Sequence, residues 1–88
     1  MFSLFDAFDI KKSKDDFDLF LKDLCTPSEI KELEERFLIA QILYTTNKSY
    51  RTIHKEFSVS PSTVTRVARF LKKESHQGYK TVLDRLYK

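Results

Sequence analysis

The 88-residue sequence predicts an all-α fold of six helices, and three observations carry that prediction. Apolar residues recur at three- and four-residue spacing in segment after segment, which is the period of a helix face and not of a strand. Thr26-Pro27 and Ser60-Pro61 are helix starts. In each, a capping oxygen precedes a residue whose missing N–H costs nothing in the first turn. One Gly and two Pro leave too little turn chemistry for a multi-stranded sheet.

Leu4, Phe5 and Phe8 share one side of a short first helix, which the Lys11–Lys14 stretch interrupts. Phe17, Phe20, Leu21 and Leu24 then follow i, i+3, i+4, i+7, and Asp15, Asp16 and Asp18 stand near the positive end of that second helix. Thr26-Pro27-Ser28-Glu29 opens the third as a capping box, with Thr26 and Glu29 each able to satisfy the other's amide. Ile30, Leu33, Phe37, Ala40 and Tyr44 form its stripe, widened by Leu38, Ile39, Ile42 and Leu43. A helix apolar around most of its circumference is buried on several sides, so this one is central. Thr45-Thr46-Asn47 ends it. A fourth helix spans about Tyr50 to Phe57 behind Ser49, and Ser58-Val59-Ser60 breaks it. The fifth runs from Pro61 to about Lys73 with Val64, Val67, Ala68 and Leu71 inward. After a break at Ser75 to Gly78, Tyr79, Val82, Leu83 and Leu86 give the sixth. No internal repeat is visible.

The length fits a single helical domain over residues 1–88, in which a thin core is expected. Eight Phe and four Tyr on so short a chain favour self-association. One Cys supplies no internal disulfide, which suits a reducing compartment. No apolar run approaches a membrane span, and Met1 to Ile10 holds Asp6 and Asp9 without a basic residue, unlike a signal peptide. A cytoplasmic protein with no membrane partner is expected. The net charge of +3 hides a polarity: residues 1–46 balance at −4 and residues 47–88 at +7. A polyanion suits the second half, although a solvated basic surface has the same composition.

The segment Tyr50–Arg69, YRTIHKEFSVSPSTVTRVAR, carries the functional reading. Ile53, Phe57, Val59, Val64 and Val67 are the apolar set with which two helices clasp across a tight turn. The outer face of the second helix then presents Ser62, Thr63, Thr65, Arg66 and Arg69. Small hydroxyls and arginines on such a helix can read base edges in a major groove. The amides after Ser60 can take a phosphate, and Lys48, Arg51, Lys55, Lys72 and Lys73 supply further phosphate contacts. A helix-turn-helix spanning 49–74 is expected, between pairing helices at 1–46 and a C-terminal helix at 76–88. Two positions depart from the commonest form of this motif. His54 stands where the first helix usually carries a small residue, and Ser58 where the turn usually starts with Gly. A plain helical hairpin with a basic outer face is the simpler alternative.

TPSEIKELEERFLIAQIL followed by SYRTIHKEFSVSPSTVTRVARFLK resembles the Trp-repressor superfamily, and more narrowly its small TrpR-like YerC/YecD branch. The resemblance covers about residues 4–87 and is most specific at Leu24–Ile30, Arg36 and Ser62–Val67. It implies a six-helix, intertwined homodimer whose helix-turn-helix units meet double-stranded DNA. It also implies that Arg51, His54, Ser62, Thr63, Thr65 and Lys72 occupy operator-touching positions. For the ligand pocket of the family, Thr26, Arg36 and Arg66 match. Val67 replaces a glycine against which an indole packs, and Phe70 replaces a serine. Tryptophan is therefore not expected as corepressor, and any other small-molecule effector is left unidentified.

Competing chemistries are weaker. His54, His76 and Cys25 lie too far apart in sequence to suggest a metal site, and no cofactor is expected. Ser60, Ser62 and His54 lack an orienting carboxylate or oxyanion loop, which argues against an enzyme. The Phe-rich N-terminus is acidic on its polar face, unsuited to anionic lipid. The expected function is a sequence-specific DNA-binding transcriptional regulator. A helical module that binds an acidic protein or structured RNA is the alternative.

Overall fold

The computed structural model describes residues 1–88 and has six helices: α1 (Leu4–Asp9), α2 (Lys14–Leu24), α3 (Pro27–Thr45), α4 (Tyr50–Phe57), α5 (Pro61–Lys72) and α6 (Gly78–Leu86). The chain divides into two compact units, Met1–Ile30 and Lys31–Lys88. No helix is long and apolar enough to cross a membrane.

In the first unit each helix begins on a hydroxyl. Ser3 Oγ accepts the Asp6 amide at 3.2 Å while the Asp6 carboxylate accepts the Ser3 amide at 2.9 Å. Ser13 Oγ accepts the Asp16 amide at 3.0 Å, a cap that the apolar spacing did not reveal. The predicted Thr26 box is present: the Glu29 amide donates to Thr26 Oγ1 at 3.1 Å, and the Thr26 amide donates to Glu29 Oε1 at 2.8 Å. That backbone hydrogen bond holds the Glu29 carboxyl below its ordinary value. Phe8 meets Phe17 and Phe20 at 5.8 and 6.0 Å between ring centroids, the second pair edge to face. The Lys12 ammonium covers Phe17 at 5.3 Å and donates to the Phe8 carbonyl. Neither α1 nor α2 has a fully buried residue.

The core lies in the second unit. It gathers Ile39, Ala40, Ile42 and Leu43 of α3, Ile53 of α4, Val59 of the turn, Val64, Val67, Ala68 and Leu71 of α5, and Leu83 of α6. Each fully buried Ile, Leu or Val contributes about 1.5–3 kcal/mol relative to exposure. α5 packs against both α4 and α6. The α3 terminus forms as Thr45 and Thr46 turn their hydroxyls back onto the Gln41 and Ile42 carbonyls, at 2.8 and 2.6 Å. The Asp84 carboxylate of α6 accepts the Tyr44 hydroxyl, and just beyond α6 the Tyr87 hydroxyl donates to Gln41 Oε1 at 2.7 Å.

One apolar expectation needs correction. Phe57, expected in the clasp between α4 and α5, is 36% exposed at the end of α4, with the Lys48 ammonium 5.6 Å from its ring centroid. Leu33 and Leu38 of the central helix are exposed, as are Val82 and Leu86 of α6. Helical spacing identifies an apolar face without identifying what covers it. The expected break at Ser75–Gly78 is also one residue too long, because Gly78 opens α6. The left-handed residue is Gln77, at φ 59° and ψ 21°.

Candidate nucleic-acid interface

α4 starts on Ser49, whose Oγ accepts the Thr52 amide at 3.1 Å. It stops at Ser58, which adopts the left-handed conformation at φ 54° and ψ 39°. The chain thus reverses without the glycine usual at such a position, and a Cβ there carries strain. Val59 follows with its side chain buried, anchoring the turn from below. Its carbonyl accepts from Nδ1 of His54, which is therefore the protonated ring nitrogen. This contact gives His54 a structural task at the position where a small residue is usual. Ser60 then caps α5: its Oγ accepts the Thr63 amide at 3.2 Å and lies 2.7 Å from the Thr63 hydroxyl, with Pro61 in the first turn.

α5 is anchored by Val64, Val67, Ala68 and Leu71, all buried. Ser62, Arg66, Arg69 and Lys73 recur at i, i+4, i+7, i+11 on the opposite side and are all exposed. Thr65 is exposed and Thr63 half-buried. The Thr65 hydroxyl donates to the Pro61 carbonyl at 3.0 Å, leaving its oxygen free to accept. Lys48, Arg51 and Lys55 are exposed before and along α4, and Lys72 is exposed at the end of α5. The structure thus brings the predicted residues onto the surface of one helix pair.

Two of the predicted cations already have carboxylate partners. Lys48 pairs with Glu56, and Arg69 Nε lies 3.5 Å from Glu74 Oε1. Arg51, Lys55, Arg66, Lys72 and Lys73 form no ion pair. Tyr50 was not among the predicted contacts, yet it helps to line two adjoining grooves between α4 and α5. One, of about 240 Å³, is bounded by Arg51, His54, Pro61 and Thr65; the other, of about 170 Å³, by Thr65, Ala68, Arg69, Lys72 and Lys73. The Lys72 ammonium lies 5.8 Å from the Tyr50 ring centroid. An aromatic beside Arg51 is the only sequence signal for this residue; the approach of Lys72 arises from the helix crossing.

Each of the five residues expected at a ligand pocket engages other groups within its own unit. Thr26 is committed to its cap. Arg36 Nη2 lies 3.8 Å from Glu32 Oε2 on the next turn of α3. The Arg66 guanidinium covers the Phe70 ring at 4.7 Å. The Val67 side chain is 1% exposed and part of the core, while Phe70 is half-buried.

Comparison with known proteins places this geometry in a family. The family described as "Trp repressor protein" matches residues 1–87. A curated relative, "Uncharacterized protein YerC" of Bacillus subtilis, is 37% identical over 67 residues, or 76% of this chain. The match spans 62% of that relative's length. A crystal structure described as "a putative Trp repressor from Staphylococcus aureus" superposes with a TM-score of 0.83 at 33% identity. It covers 96% of this chain and 82% of the other. The buried side of α5, the tight turn at Ser58 and the family match over residues 1–87 lead to one conclusion: this chain belongs to the Trp repressor family.

Proposed function

We propose that the protein is a sequence-specific DNA-binding transcriptional regulator that acts as a homodimer and not as an enzyme. One observation carries this reading. α5 is docked by four buried apolar residues, while Ser62, Arg66, Arg69 and Lys73 line its opposite, exposed face. Such a helix can enter a major groove, where Arg pairs bidentately with guanine and Ser or Thr bonds a base edge or a phosphate. Thr63 and Thr65 flank the arginines. The Ser62 amide is the one left for a phosphate in the first turn of α5, because Pro61 has no N–H and the Thr63 and Val64 amides bond Ser60. Lys48, Arg51, Lys55, Lys72 and Lys73 surround this face as phosphate contacts, with His54 holding the turn.

The exposed Phe2, Phe5, Leu19, Leu24, Leu33 and Leu38 support pairing through residues 1–46. A two-fold dimer presents two recognition helices to half-sites about one helical turn apart, ~34–36 Å. The buried Val67 and the Arg66–Phe70 contact support regulation without tryptophan as corepressor. The test is selection of bound duplexes from a random pool, alongside the mass of the protein in solution. Enrichment of a two-fold-related site by a dimer supports the reading. Capture of structured RNA or of acidic protein with no duplex preference would replace it with the interaction-module reading. Saturable micromolar binding of tryptophan in calorimetry would overturn the corepressor statement alone.

A further inference from the structure

Phe70 holds three side chains around its ring. The guanidinium carbons of Arg66 and Arg69 lie 4.7 and 5.0 Å from the ring centroid. The His76 imidazole stacks nearly parallel to the ring, at 9° and 5.8 Å. Phe70 is not a member of the buried core that fixes α5, so anchoring this helix does not require a ring at position 70. Helix geometry accounts for the Arg66 contact, because side chains lean toward the N-terminus and residues four apart meet on one face. Arg69 is held from a second direction by the Glu74 carboxylate, 3.5 Å away.

An unanchored arginine on an exposed helix face samples many rotamers, and freezing them opposes binding. An aromatic face attracts the flat guanidinium and leaves its N–H edge available to an acceptor. We propose that Phe70 is a positioning residue for recognition: its ring pre-sets Arg66 and Arg69 on the exposed face of α5. It thereby sharpens the choice of base sequence without touching a base. The proposal rests on the DNA-binding reading above.

The test measures affinity of the full chain for its selected duplex and for a random duplex across a salt series. Wild type is compared with Phe70→Leu, Phe70→Met and Phe70→Tyr, with helix content followed by circular dichroism. Removing the ring is expected to weaken the selected duplex about two- to fivefold, the range set by exposed cation–π contacts. Random-duplex affinity and the salt slope stay at their wild-type values, because no charge is lost. Phe70→Tyr keeps the ring and is expected to restore selectivity. The proposal is overturned if Phe70→Leu and Phe70→Met retain wild-type discrimination, or if Phe70→Tyr fails with them. Equal loss on both duplexes, or loss of helix content in both ring-less variants, also overturns it, since the ring then serves the fold. A wild-type chain that prefers no duplex sinks the DNA-binding reading itself, which separates the two failures.

Discussion

His54 and Val59 are joined across the turn between α4 and α5: imidazole Nδ1–H donates to the Val59 carbonyl. The bond satisfies a backbone acceptor beside a buried side chain and ties the last turn of α4 to the segment that launches α5. His54→Ala leaves that carbonyl without its partner, so a loss of about 1–3 kcal/mol is expected in urea unfolding. An unchanged midpoint would show that water replaces the imidazole at no cost.

Ser58 holds the same turn by backbone conformation alone. At φ 54° its Cβ is unfavourable, and glycine removes that penalty. Ser58→Gly is expected to stabilise the protein by about 0.5–1 kcal/mol, after subtraction of the extra freedom glycine has in the unfolded chain. Ser58→Val is expected to destabilise it, since a β-branched side chain tolerates the left-handed region poorly. Thermal melts of the two variants should move in opposite directions.

Asp84 links acid stability to the α3–α6 contact. Hydrogen bonds from Lys80 and Tyr44 hold its carboxyl below the ordinary 3.8. A depressed native value stabilises the fold above the unfolded value, and that contribution disappears as the pH falls through the native one. Wild type is therefore expected to melt above Asp84→Asn at neutral pH, with the gap closing below pH 3.8. A gap that persists undiminished in acid would show that the asparagine acts through packing and not through charge.

Base reading and phosphate contact separate by mutation. Arg66→Ala is expected to relax preference at one position of the selected site, at a cost of about 1–3 kcal/mol on the preferred base. Lys72→Ala is expected to weaken every duplex alike and to lower the salt slope by about one. Competition binding with single-base variants of the site distinguishes the two patterns. Uniform loss from both changes would favour a nonspecific polyanion surface.

Local signals were legible in the sequence where the chemistry is local. Thr26, Ser49 and Ser60 announce helix starts because a hydroxyl bonds an amide only two or three residues on. The strained turn was legible at Ser58, where glycine was missing from its usual place. Gly78 misled for the complementary reason. It is the residue best suited to a left-handed bend, yet Gln77 adopts it and Gly78 begins the helix. The pairings of Tyr50 with Lys72 and of Tyr44 with Asp84 join residues 22 and 40 positions apart, and no periodicity encodes such meetings. Exposure of Leu33, Leu38, Val82 and Leu86 was equally illegible, because spacing records an apolar face and not its cover.

The most direct measurement is a titration of the isotope-labelled full chain with its selected duplex, followed through the backbone amide resonances. Expected are shifts concentrated at Ser60–Lys73 and at Arg51 near the start of α4, with α6 little changed. Shifts confined to residues 1–46 or to α6, with the Ser62–Arg69 amides unmoved, would contradict DNA recognition by this helix.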